Sequence, residues 1–312
     1  MAAPLPNYQQ SHTDLPLTNI SIAYANTEYI AEMVFPAVKV NQKSGKYYIY
    51  SKSDWLRREV AARAPGTRAA RTAGYNLSTS PYNCIEIALA GAVPDEDVQN
   101  ADNPLRPYED TTQFVTNQIM LQKEKDVATI AFGNSVWSSS ATPSTLWGVD
   151  TSDPLGDIEA TACAIKLSIA RGQLNGVMGY EAWSKLKNHP DIVDRIKYSA
   201  GPGNPAIVSL QALAALVELQ GIAVGLAIEN TGTYGQADSI TPVWGKNFLV
   251  YFKAPGPSLR TPSAGYLINY ANREVSRFRE EQERQDIVEV RESYDVVQVA
   301  TDAGYLLKNV VS

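Results

Sequence analysis

The stretch YEDTTQFVTNQIMLQKEKDVATIAF, Tyr108 to Phe132, decides how the rest of the chain is read. Pro104 and Pro107 precede it, and proline fits a first helical turn because its missing N–H has no partner there anyway. Glu109 and Asp110 set negative charge at the positive end of the helix dipole. Gly133 and Asn134 follow, and both tolerate the left-handed backbone that ends helices. About 25 residues at about 1.5 Å each make a rod of about 37 Å, long for a domain of mixed structure. Its apolar residues do not keep to one stripe. Phe114 and Leu121 share a face, Val115 and Ile119 lie roughly a third of a turn away, and Met120 and Val127 fall on the far side. A helix lying on one surface shows a single apolar stripe, so this pattern predicts a rod touched from several directions, other subunits included.

The chain around it is 312 residues long, 44% hydrophobic and 19% charged, which suits a soluble globular protein with a large core. No apolar run approaches the length of a membrane span, and Met1 to Gln10 lacks the basic-then-apolar pattern of a secretory signal. Two cysteines, Cys84 and Cys163, form neither a disulfide framework nor a zinc pattern. The net charge of −6 argues against a dedicated DNA binder.

Charge is unevenly spread. Lys43 to Arg71 holds eight cations, Arg57, Arg58, Arg63, Arg68 and Arg71 among them, against Asp54 and Glu59. That is a net +6, leaving −12 for the remainder. Few large apolar residues follow Leu56, so the segment cannot bury itself and reads as an excursion that leaves the domain and returns. Asp95 to Asp110 is its opposite: six carboxylates, with Asp95, Glu96 and Asp97 in a row, against Arg106 alone, a net −5.

Elsewhere the pattern is mixed. Met1 to Pro16 reads as an extended arm, and AYANTEYIAEMVF as a short helix closed by Phe35-Pro36. Ser135 to Asp153 reads as a loop pinned by Trp137 and Trp147. From Asp157 to Lys253 short helices alternate with strands, an α/β pattern: helices over Gly156 to Arg171 and Ile207 to Gln220, strands at LNGVMG, IAVGLAIEN and VWGKNFLVYF. IVEVRESYDVVQVA reads as a long strand, Asp302-Ala303-Gly304 as a turn and YLLKNVV as the strand that closes a hairpin with it.

Chemical sites are hard to find. A Ser/His/Asp set needs a histidine held by its own partner, and the two candidates, His12 and His189, sit in the arm and at a helix end. No His/Cys cluster has metal-ligand spacing. GQLNGVMG and GPGNP are glycine-rich but lack the terminal lysine and hydroxyl of a phosphate loop. Glu280 and Glu283, interleaved with Arg277, Arg279 and Arg284, read as a salt-bridged or interface strand. Trp55, Trp183 and Trp244 read as core or interface anchors. The expectation is a protein with no catalytic residue, cofactor or metal.

The order of the pieces resembles the major capsid proteins of tailed bacteriophages, with the Hong Kong 97-like fold. The likeness is carried by VFPAVKVNQKSGKYYIYSKSDWLR, YNCIEIALAGAVPDEDVQNADNP, the long helix, VMGYEAWSKLKNHPDIVDRIKYS, LVELQGIAVGLAIEN with PVWGKNFLVYF, and VSRFREEQERQDIVEVRESYDVVQVATDAGYLLKN. The resemblance implies an α+β chain: an N-terminal arm and short helix over 1–39, and an extended β-hairpin loop over 40–82. A peripheral domain over 83–156 would carry the spine helix 108–132. An α/β axial domain would span 157–254, and the peripheral domain's C-terminal strands 255–312. It also implies self-assembly as pentamers and hexamers into an icosahedral head shell around packaged double-stranded DNA. Portal and separate scaffolding or decoration proteins would be partners, with no membrane. The site would be the virion, after assembly in the host bacterial cytoplasm. An encapsulin-like nanocompartment shell is the alternative, and an α/β enzyme with the loop as lid ranks below both.

On this reading Arg57, Arg58, Arg63, Arg68 and Arg71 of one subunit are expected to face Asp95, Glu96 and Asp97 of a neighbour, steering association and setting register. A solvated loop whose charge only keeps it soluble is the plainer account. Phosphate contact by Arg63 to Tyr75 ranks lower, because aromatic residues are sparse after Trp55 and the rest of the chain is acidic.

Overall fold

The computed structural model describes residues 12–13, 16–18, 21, 28–50, 52–72, 74–101, 105–200, 208–233, 235–256 and 263–312. Most of the expected arm, the GPGNP loop and the side chains of His12 and Trp55 lie outside them.

Along the chain, β1 (His12–Thr13) is followed by α1 (Ala31–Val34) and β2 (Ala37–Lys39). Next come β3 (Ser44–Tyr50), α2 (Lys52–Leu56), β4 (Leu77–Asn83), β5 (Ile85–Pro94) and α3 (Asp95–Asn100). The long helix, α4, is Pro107–Ala131, within one residue of expectation at either end. Pro107 occupies its first turn, and Asp110 turns a carboxylate back to accept from the N–H of Arg106. After it come β6 (Ser139–Ala141), α5 (Pro154–Ile169), β7 (Asn175–Gly179), α6 (Tyr180–Leu186), α7 (Pro190–Ala200) and α8 (Leu210–Leu216). The last elements are β8 (Gly221–Gly225), β9 (Ile228–Asn230), β10 (Ile240–Pro242), β11 (Phe248–Tyr251), β12 (Gly265–Glu280), β13 (Gln285–Gln298) and β14 (Gly304–Leu307).

Two five-stranded sheets organise these pieces. The first runs β1-β12-β13-β5, with β2 also parallel to β12. Helix α4 lies across it so closely that a Cβ on Gly91 of β5 would come within 2.6 Å of Thr111. Val115 and Ile119 of the helix pack there with Val93, Val275, Val288 and Val290. The second sheet runs β6-β14-β11-β7-β8. Its pair β7 and β8 is parallel, a pairing that needs the long crossover that contains α6, α7 and α8. Val127, Ala128 and Ala131, at the other end of α4, belong to this second core with Trp147, Trp244 and Phe248.

The scatter of apolar residues on α4 is thereby explained. Its first half serves one sheet and its second half another core, so no single stripe runs its whole length. Within the chain, the helix is met by the first sheet, by α1 and by Trp244. Phe114 remains 64% exposed.

The expected C-terminal hairpin is corrected. β13 pairs with β12 and β5, and β14 instead joins the second sheet between β11 and β6. The true hairpin is β12–β13, turned at residues 281–284, where Arg284 takes a left-handed backbone at φ 46°. Residues 301–303 form a 3-10 turn that hands the chain from one sheet to the other. The loop over 135–153 is pinned as expected, through indole N–H bonds from Trp137 to the carbonyl of Ala131 and from Trp147 to Asp157, although it also contains β6.

Candidate assembly surfaces

The basic segment rises on a two-stranded ribbon. β3 and β4 pair antiparallel from Ser44↔Asn83 to Tyr50↔Leu77, because alternating Tyr47 and Ile49 give one half-buried face to seven residues of strand. The root is tied to the first sheet: the Tyr47 hydroxyl donates to the carbonyl of Gln298 at 3.1 Å, and the N–H of Asn83 donates to Asp295 at 2.8 Å. Higher up, Asp54 accepts from both the backbone and side-chain N–H groups of Asn76, closing the excursion between them. The described side chains beyond, 56–72 and 74–75, are exposed, with Val60 at 87%. Arg57 reaches Glu59 at 3.8 Å, whereas Arg58, Arg63, Arg68 and Arg71 are exposed with no ion pair among the described residues.

The acidic row stands differently. Asp95 is held by both terminal nitrogens of Arg279, at 2.5 and 2.6 Å, in its own chain. The Arg279 hydrogen bond holds the Asp95 carboxyl below its ordinary titration range. Arg279 also reaches Asp286, which accepts from the hydroxyl of Tyr108, and Arg277 lies 5.2 Å over the Tyr108 ring. Glu96 and Asp97 are exposed. Reading the sequence missed that the β12–β13 tip, with Glu280, Glu281 and Glu283, comes to this same end, since Pro94 pairs with Gln285 and the N–H of Asp95 bonds to Arg284. The Glu/Arg interleaving at 277–284 was the available signal, but not its position.

A second unforeseen feature is the charge buried where α4 passes between the two cores. Lys123 is 4% exposed and pairs with Glu292 at 2.5 Å and Glu32 at 3.4 Å, with its ammonium 5.3 Å over the ring of Tyr294. Arg273 stands 3.5 Å from Glu292 and donates to the carbonyl of Ser21. Glu124 is fully buried and accepts from the N–H groups of Ile30 and Ala31, at the start of α1, and from the indole of Trp244 at 2.7 Å. Burial pushes its carboxyl above the ordinary range, and the three donors only partly oppose this. One carboxylate thus fastens the spine to the short helix and to the second core.

Of the residues weighed for chemistry, those described are engaged within the chain. His189 is buried, with Nε2 3.1 Å from the hydroxyl of Ser152, which itself donates to the carbonyl of Val149. Glu280 and Glu283 both accept from the side-chain amide of Gln285. Among the described residues no group of three or more His, Cys, Asp or Glu side chains could hold a metal ion, and no helix is long and apolar enough to cross a membrane.

Set beside known proteins, the chain matches no family model. The major capsid protein of Burkholderia phage BcepMu is 30% identical over 306 residues, covering 94% of this chain and 95% of that protein. Of solved structures, a phage-related protein from Bordetella bronchiseptica superposes with a TM-score of 0.74 at 23% identity, over 96% of this chain and 97% of its own. The capsid of cyanophage P-SCSP1u gives 0.59 at 10% identity, over 98% and 91%. The fold is therefore the Hong Kong 97-like capsid fold, and a nanocompartment shell is not favoured. A spine spanning two cores, a ribbon carrying an uncovered basic loop, and a phage capsid relative along nearly the entire length lead to one place: the chain belongs to the major capsid protein family of tailed bacteriophages, the structural proteins of the head shell.

Proposed function

We propose that the shell is held in register by a contact between copies in which the basic loop of one subunit meets the acidic end of the next. The supporting observation is that Arg58, Arg63, Arg68 and Arg71 are exposed with no ion pair among the described residues. Glu96 and Asp97 offer the free carboxylates; Asp95, engaged by Arg279, shapes the surface rather than receiving the loop. Exposed charge pairs contribute only about 0–1 kcal/mol each, so their role is steering and register, with apolar burial supplying the driving force.

In this reading residues 1–39 are arm and short helix, 40–82 the extended loop, 83–156 and 255–312 the peripheral domain, and 157–254 the axial domain. The axial sheet also takes β14. The copies form pentamers and hexamers around packaged double-stranded DNA, enclosed rather than read by sequence. Portal and separate scaffolding or decoration proteins complete the head, which is built in the host cytoplasm. The role is structural, without catalysis.

Charge swapping tests the contact. The Arg57→Glu/Arg58→Glu subunit should fold but fail to form shells under electron microscopy. Adding Glu96→Lys/Asp97→Lys should restore them. Normal shells from the first variant would sink the pairing.

A further inference from the structure

The ribbon β9–β10 carries apolar residues on the side turned away from the protein. Its register sets Ile228 opposite Pro242 and Ile240 opposite Asn230, so Ile228 and Ile240 share one face and Glu229 and Thr241 the other. The second face is turned to the spine, where Lys125 pairs with Glu229 at 2.6 Å. The first is uncovered: Ile228 is 57% and Ile240 63% exposed, and Leu226, two residues before Ile228, is exposed as well.

The described residues of this ribbon are tied down at both ends. At its root Gly225 lies so close to the Trp244 indole that a Cβ would sit 2.0 Å from the ring, and that indole is bonded to Glu124 of the spine. At its tip Asn230 accepts from the N–H groups of Gly232 and Ser239 at 2.9 Å each and donates to Asp238 at 2.7 Å. A rigid ribbon that presents aliphatic side chains to water is preorganised for a partner, because little freedom remains to be lost on docking.

The same chain offers a second uncovered apolar surface of matching character. On α5 the outward positions are Ala160, Cys163, Ala164 and Leu167, spaced i, i+3, i+4 and i+7, and Leu167 is 81% exposed. Leu167 and the small residues beside it leave an aliphatic surface against which isoleucine side chains can pack. A contact between two different patches of identical chains is head-to-tail, and such contacts close into rings when the rotation between copies divides a full turn, and otherwise run on as open filaments. A head shell is assembled from many copies of one chain, so a second copy is the occupant that fits.

We infer that the outer face of the 226–242 ribbon docks on the outer face of helix Pro154–Ile169 of the next copy around a capsomer. This rests on the chain forming shells but not on the basic loop. Native Cys163 makes the contact testable. Shells built from the Ile240→Cys variant, mildly oxidised, should give a ladder of disulfide-linked multimers on a non-reducing gel. The ladder should vanish in Ile240→Cys/Cys163→Ser. Intact shells without a ladder, or a ladder that survives loss of Cys163, would overturn the proposal. Independently, Ile228→Lys/Ile240→Lys should melt like the native subunit yet leave no shells, and shells in native yield would refute it even where the cysteine variant failed to assemble. Both tests keep the native loop, so failure of the arginine–carboxylate pairing would show separately.

Discussion

Two sets of charges sit within one chain and do opposite things. At the middle of the spine, Lys123, Glu124, Glu292 and Arg273 are in the interior, each placed by groups far away in sequence. On the extended loop, Arg58, Arg63, Arg68 and Arg71 stand in water beyond reach of any described carboxylate. The first set has lost its hydration and must be matched within the subunit, so it bears on whether the chain folds. The second keeps its hydration and costs the subunit nothing, so its matching can wait for another copy. Burial, rather than charge itself, decides which charges must be matched inside the subunit and which are left to solvent or a partner.

This contrast can be broken by substitution. Lys123→Met should have the largest effect on stability, because Glu292 would be left buried with only the long contact from Arg273; a loss of about 3–5 kcal/mol is expected in urea unfolding. A loss under about 1 kcal/mol would show the site to be wetter than it looks. Glu124→Gln should cost less, about 1–3 kcal/mol, since an amide offers one acceptor oxygen to three donors. That variant also carries a pH signature. The Glu124 carboxyl titrates above its ordinary range when folded, so the folded state holds the proton more tightly than the unfolded chain. Its contribution is full at low pH and declines as pH rises past the unfolded value, so the native advantage over Glu124→Gln should narrow as pH climbs above the ordinary glutamate range. A widening gap would reverse the assignment.

On the surface the effects should shrink and change kind. Arg57→Glu/Arg58→Glu should leave unfolding within about 0.5 kcal/mol of native while abolishing shells, so melting and microscopy should disagree. Asp95→Asn should give the smallest effect, with the opposite slope to Glu124. Its folded carboxyl titrates low, so its contribution is present above the ordinary carboxylate range and lost as pH falls through the folded value. The difference between native and Asp95→Asn melting should therefore close at acid pH. A difference that persists there would show that Arg279 holds the position through packing rather than charge.

The spine was legible because its signals are local: Pro107 at the start, Gly133 after the end, and a long run of helix formers between. The basic excursion was legible from composition alone. What stayed hidden was non-local. Lys123 and Glu124 look like ordinary surface residues of a helix, since charged side chains are almost never fully buried, and the partners that bury them lie 91 to 169 residues away. The β12–β13 turn carries no glycine, proline or asparagine at 281–284, and an arginine adopts the left-handed backbone instead. Asp302-Ala303-Gly304 has the better turn composition, and that composition drew a hairpin where the chain actually changes sheets. Asp95 was read as a free carboxylate because Arg279, its partner, is 184 residues away.

The path between the sheets has a consequence for how the molecule must come together. The chain lays β2 and β5, leaves through the spine to build β6, β7, β8 and β11, comes back for β12 and β13, and crosses once more to place β14. β5 waits for β13, and β6 waits for β14, each across more than half the sequence. Long waits between pairing partners make folding slow, because the entropy of closing large loops is lost before the strands that reward it can meet. Each sheet's strands are interrupted in sequence by strands of the other, so neither can be cut out as one continuous segment and expressed by itself. The subunit should appear late and all at once, which keeps incomplete molecules from presenting a finished surface to a growing lattice.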